Sequence, residues 1–126
     1  SGETFIWLLD NSGAIVSTAV LPVQDGRWAL QAVGDFNGDL KPDIFWRLQD
    51  GSGTNEVWYL DGVNFVSKQL FIPNQNVNAQ VQGSGDFNGD GYADLFWRDF
   101  ATGQNEIWLL QNSSILSVVP TLAVSD

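Results

Sequence analysis

A nine-residue stretch, Asp86-Phe87-Asn88-Gly89-Asp90-Gly91-Tyr92-Ala93-Asp94, constrains this chain more than any other. Oxygen-bearing side chains occupy its first, third, fifth and ninth positions, and glycine its sixth. A hard cation such as Ca2+ takes about six to eight oxygens at short range, and a short loop with ligands on alternate residues can gather them around one point. The pattern occurs a second time as Asp35-Phe36-Asn37-Gly38-Asp39-Leu40-Lys41-Pro42-Asp43. The match extends beyond the loop: residues 34–47 align without gaps to 85–98, 51 residues on, with ten of fourteen positions identical. Two copies in 126 residues turn a motif into a repeat.

A second segment repeats with it. Asn55-Glu56-Val57-Trp58-Tyr59-Leu60 matches Asn105-Glu106-Ile107-Trp108-Leu109-Leu110, and a third version, Thr4-Phe5-Ile6-Trp7-Leu8-Leu9, opens the chain. The repeat is therefore present twice in full, preceded by the back half of another. Its apolar runs are short, rich in Val, Ile, Phe and Trp, and separated by Gly, Asn, Asp and Pro clusters, which predicts strands and turns with no helix. Strands are expected at 28–33, 43–48, 56–60 and 65–72 in the first full repeat. The second repeat gives 80–85, 94–98, 106–110 and 115–122, and the opening half gives 5–9 and 15–21.

Four antiparallel strands in about fifty residues is the size of one β-propeller blade. Ile44-Phe45-Trp46 and Leu95-Phe96-Trp97 are apolar on both faces, as strands sandwiched between neighbouring sheets should be; a sheet with one face in water would alternate. A solenoid or a β-sandwich would satisfy the same periodicity. The expected architecture is all-β, about two and a half blades in one domain: a half blade at 1–24, a full blade at 25–74 and a second at 75–126. Propellers have at least four blades. Such a chain is either part of a longer propeller or a protomer that completes a ring with partners, and the aromatic sheet surface left open favours self-association.

At this point the residues carry a family resemblance. The pattern G-D-F-N-G-D-G-x-x-D, followed by an apolar strand ending in Trp-Arg, resembles the FG-GAP or VCBS-type repeats of integrin alpha-subunit propellers and many bacterial extracellular proteins. The resemblance implies that the acidic loop joins the first two strands of a blade and binds Ca2+. It implies ligand roles for Asp86, Asn88, Asp90, the Tyr92 carbonyl and Asp94, and in the first loop for Asp35, Asn37, Asp39, the Lys41 carbonyl and Asp43. The loop also resembles the start of an EF-hand, but its twelfth position is Trp46 or Trp97 rather than Glu, so the ninth-position Asp must close the site. The competing expectation is a solvated turn, since Asp, Asn and Gly favour turns without any metal. Loop two has Gly91 where a positive φ is expected and loop one has Leu40, which would cost about 1 kcal/mol there; the second site is expected to bind more tightly.

Composition narrows the partners. Fifteen Asp and Glu against five Lys and Arg give a net charge of −10, which disfavours nucleic acid and anionic membranes, and no apolar run is long enough to span a bilayer. With no Cys, His or Met, disulfides and soft-metal sites are excluded, and no nucleophile–base constellation emerges beyond Ser with Lys41 or Lys68. The sequence is thus expected to encode a non-catalytic, calcium-stabilised module, extracellular or at the cell surface, that meets copies of itself or neighbouring blades and a protein or glycan ligand. An oligomeric lectin and a part of a larger polysaccharide-acting enzyme are the alternatives. Arg47 and Arg98 are expected in ion pairs with Glu56 and Glu106, or else in ligand recognition. Trp7, Trp58 and Trp108 are expected in the core rather than on a sugar ring, and Trp28, outside the recurrent set, is a candidate for a specific contact.

Overall fold

The computed structural model describes residues 3–21 and 25–121, and within them every regular element is a β-strand. A hairpin of β1 (Phe5–Leu9) and β2 (Ile15–Val20) comes first. It is followed by a sheet of β3 (Trp28–Gly34), β4 (Asp43–Leu48), β5 (Asn55–Asp61) and β6 (Asn64–Phe71). A second sheet comprises β7 (Ala79–Gly85), β8 (Asp94–Asp99), β9 (Asn105–Gln111) and β10 (Ser114–Pro120). Both four-stranded sheets are antiparallel meanders in sequence order, the arrangement of a propeller blade. The strands lie where the hydrophobic pattern places them; the expected extension of the last strand to residue 122 falls outside the described residues.

The opening hairpin shares its register with the last two strands of each four-stranded sheet. Each outer pair carries one bulge at an equivalent place, skipping Val16 opposite β1, Val66 opposite β5 and Leu116 opposite β9. The inner pairs share a second bulge, at Gln31 in β3 and Gln82 in β7. A bulge recurring at one repeat position is a built-in bend, since an extra unpaired residue increases local twist. The Gln31 bulge also joins the sheets: its side-chain oxygen accepts the Val81 N–H at 2.7 Å, and Ser84 Oγ donates to the Val33 carbonyl at 2.6 Å.

Two apolar layers hold the stack. Phe36, Phe45, Val57 and Phe71 of the first full sheet pack with Val81, Leu95, Trp97, Trp108 and Leu110 of the second. Phe45 sits at the centre, fully buried, with edge-on contacts to Phe71 and Trp97 at centroid distances of 5.5 and 6.0 Å. On the other face of the same sheet, Ile44, Trp46, Trp58 and Leu60 pack with Leu21, Ile6 and Trp28. β4 is thus buried on both sides, as its unbroken apolar run requires, and each such side chain is worth about 1.5–3 kcal/mol in removed surface. Trp28 belongs to this layer and is partly buried there. Among the described residues β1 has no neighbour on the side where β5 has β4, so Leu30 and Val33 of β3 stand 43% and 54% exposed beside it.

Candidate metal centres

Each acidic loop links the first two strands of a sheet, β3 to β4 and β7 to β8. Its shape follows from side chains capping its own backbone. Asp86 Oδ1 accepts the N–H groups of Gly89 and Asp90 at 2.8 and 3.1 Å, while Oδ2 accepts that of Gly91 at 2.8 Å. These amides hold the Asp86 carboxyl below the usual carboxylate range, the Gly91 bond contributing most. Asn88 Oδ1 accepts Asp90 N–H at 3.3 Å, and Asp90 Oδ1 accepts Tyr92 N–H at 3.0 Å. The first loop repeats this pattern, with Asp35 accepting from Gly38, Asp39 and Leu40, Asn37 from Asp39, and Asp39 from Lys41. Turn-forming chemistry alone accounts for those contacts.

The ninth-position aspartates are different in kind. Asp94 is fully buried at the start of β8; its Oδ1 accepts Leu110 N–H at 2.8 Å and its Oδ2 accepts Phe87 N–H at 2.8 Å. Asp43 does the same in β4 with Leu60 and Phe36, both at 3.0 Å. Each therefore ties the loop to the third strand of its sheet. Burial is the leading cause that pushes both carboxyls above the usual range, and the first- and fifth-position aspartates add repulsion.

These elements bring Asp35, Asp39 and Asp43 together in one loop and Asp86, Asp90 and Asp94 in the other, each triad with one ligand oxygen per residue all within 4.8 Å. Three carboxylates so close repel one another unless a cation or protons intervene. Asp90 Oδ2 is buried and has no hydrogen-bond partner, an acceptor left over after the turn is satisfied. An all-oxygen set of carboxylates and a flanking Asn amide suits Ca2+ rather than a soft metal. Among the residues proposed from sequence, the aspartates form the clusters and Asn37 and Asn88 lie in the same hydrogen-bonded turns; Lys41 and Tyr92 enter through their N–H groups.

Other sequence expectations are corrected. Arg47 is buried but does not pair with Glu56: the register sets Arg47 opposite Asn55 and Glu56 opposite Trp46, so the acid is on the other face. Arg47 donates instead to Asn55 Oδ1 at 2.9 Å and to the carbonyls of Gly53, Asn74 and Asn76, with its guanidinium 5.0 Å from the Trp97 ring centre. It staples the connection between the two full sheets rather than meeting a ligand. Arg98 likewise faces Asn105, not Glu106. Glu56 and Glu106 accept the indole N–H of Trp58 and Trp108 at 2.7 and 2.9 Å. The repeated Asn-Glu-x-Trp spacing was the available signal: alternate residues serve opposite faces. Trp58 and Trp108 are core as expected, while Trp7 is 63% exposed.

No curated protein and no solved structure matches the chain. A family model does match, over residues 35–97, the span from the first acidic loop through the second and into β8. The chain belongs to the FG-GAP-like repeat family.

Proposed function

We propose that the chain is a Ca2+-stabilised, non-catalytic propeller-type module that acts outside the cell or on its surface as a rigid platform for a protein or glycan partner. The observation that carries this reading is the convergence of three carboxylates in each loop, with the buried Asp90 Oδ2 left without a partner. Asp35, Asn37, Asp39 and Asp43 would hold one ion, and Asp86, Asn88, Asp90 and Asp94 the other, with the Lys41 and Tyr92 carbonyls completing the sets. When bound, the ion supplies positive charge that offsets carboxylate repulsion. Because Asp43 and Asp94 also bond the third strand, fixing them fixes the sheet as well as the loop. The role is structural: both sites are built into the blade, and their oxygens are largely committed to backbone amides.

Millimolar Ca2+ outside cells would keep even weak sites of this kind filled. A lectin that stacks sugars on the recurrent tryptophans is less favoured, because two of the three are core. Thermal melts with Ca2+ and with excess chelator test the proposal. At ligand about a hundredfold above Kd, each site adds about 2.7 kcal/mol, so removing two should lower Tm by about 20 °C. Identical melts in the two buffers would sink it.

A further inference from the structure

The two acidic loops touch each other through residues adjacent to their clustered carboxylates. The Ala93 N–H of the second loop donates to the Asp35 carbonyl of the first at 2.7 Å, and the Tyr92 ring covers Gly38. Ala93 is buried, so the bond is shielded from water. Each end of it is tied to a cluster. Asp35 contributes its carboxylate to the first triad, and the same side chain accepts the N–H groups of Gly38, Asp39 and Leu40. On the other side, the Ala93 N–H and the Tyr92 carbonyl belong to one planar peptide group, and the next residue is Asp94 of the second triad. Whatever holds that N–H on Asp35 therefore sets the direction of the Tyr92 carbonyl. In the first loop Pro42 stands where Ala93 stands, and proline has no N–H to give. That loop still makes the full set of internal hydrogen bonds. The Ala93 donor is thus not needed for the shape of a loop; it serves the contact between the two.

We infer that the two loops bind Ca2+ with positive coupling, carried by the hydrogen bond from Ala93 to Asp35. The coupling presupposes that both loops hold the ion. With its carboxylate fixed as a ligand, Asp35 holds the Tyr92–Ala93 peptide through its carbonyl, and the second loop then has less freedom to lose on closing. Coupling of binding free energies is reciprocal, so the second loop tightens the first by the same factor. One hydrogen bond of ordinary net strength supports a factor of about five. Charge works the other way, because a cation in one loop weakens the negative potential at the other. At about 0.15 M salt that repulsion is screened beyond about 8 Å.

Titration calorimetry with Ca2+ at that salt compares the parent chain with Asp39→Asn and Asp90→Asn, each of which leaves one working loop. An asparagine Oδ1 can still accept the Lys41 or Tyr92 N–H, so both turns keep their shape. The product of the parent's two binding constants should exceed the product of the single-loop constants by about fivefold. In an Ala93→Pro background, which copies Pro42 and removes the donor, the same comparison should give equality. Hydrogen exchange supplies a second readout that needs no affinity. In Asp90→Asn, where only the first loop can bind, Ca2+ should slow the Ala93 N–H about fivefold more than the Val81 N–H, which crosses between the same two sheets to Gln31. Independent binding in the parent, coupling that survives Ala93→Pro, or an Ala93 N–H slowed no more than that of Val81 would each overturn the coupling and leave the calcium sites standing. No heat in any of these chains would remove the sites themselves, and the coupling with them.

Discussion

The two acidic loops share their chemistry and differ in their neighbours. The first loop is packed beneath the second sheet. Phe36 at its base is buried, its Asp35 carbonyl accepts Ala93 N–H at 2.7 Å, and Gly38 lies so close to the Tyr92 ring that a Cβ there would come within 2.7 Å of it. In the second loop the matching Phe87 is half exposed, and a Cβ on Gly89 or Gly91 would meet nothing within 4 Å. Yet the well-packed loop carries the strain: Leu40 sits at φ 65°, where the open loop has Gly91 at 89°. Packing and local conformation thus oppose each other, with the left-handed penalty of about 1–2 kcal/mol set against support from the neighbouring sheet. A repeat can tolerate a poor residue in one copy when the next copy holds its backbone in place.

The largest expected effect separates the loops by burial. Replacing Asp43 with Ala strands the N–H groups of Phe36 and Leu60, both buried, at about 1–3 kcal/mol each. Asp94→Ala strands Leu110 and Phe87, of which the second is only part-buried and can reach water. Urea unfolding in chelator should therefore show a loss of about 3–5 kcal/mol for Asp43→Ala and about 2–3 for Asp94→Ala. Equal losses would remove burial as the distinction between the loops.

Next in size is a dependence on pH that both loops share. Burial raises the Asp43 and Asp94 carboxyls, so the folded chain holds these protons more tightly than the unfolded one. Without metal, their contribution is favourable below the ordinary carboxylate range and is lost as pH rises through the raised folded values. A cation competes with those protons. The gain in Tm from Ca2+ should shrink as pH is lowered from about 7 to about 5, and a gain that grows with acidity would show that the two aspartates are not ligands.

Much of this was legible in the sequence because a repeat is a comparison written into the chain. Strand positions, the turn-forming loops, and Leu40 and Gly91 at positive φ follow from local pattern and steric rules alone. The partners of Arg47 were not legible from side-chain type. An arginine near a glutamate suggests an ion pair, but pleating puts Glu56 on the opposite face and the sheet-to-sheet connection supplies carbonyls instead. The contrast between Phe36 and Phe87, identical in local sequence, was also hidden, since it depends on which copy has a neighbour stacked upon it. Local sequence encodes the blade; position in the stack decides what each blade buries.

Exchanging the residues at positive φ isolates strain from packing. Leu40 is 89% exposed, so Leu40→Gly gives up no burial, and Gly91→Leu introduces a side chain into open space. In an Asp86→Ala background, Leu40→Gly should tighten Ca2+ binding at the first loop by about fivefold, the equivalent of 1 kcal/mol. In an Asp35→Ala background, Gly91→Leu should weaken the second by a similar factor. Calorimetry that found a tighter first loop in the parent chain would reverse the ranking, and would mean that support from Ala93 and Tyr92 outweighs the strain at Leu40.

The smallest effect concerns Lys41, whose charge beside a cation site looks unfavourable in sequence. The structure turns its ammonium away to Asp61, at 3.0 Å, and that pairing raises the lysine pKa. Its exposed position means solvent screens both the pair and any repulsion toward a bound ion. Lys41→Ala should therefore leave the affinity of the first loop within error in moderate salt. A slight tightening should emerge only at low ionic strength, where the Debye length grows to about 30 Å. If the substitution tightens binding as much as Leu40→Gly does, the weakness of the first loop is electrostatic, and the backbone conformation at Leu40 is not what distinguishes the two sites.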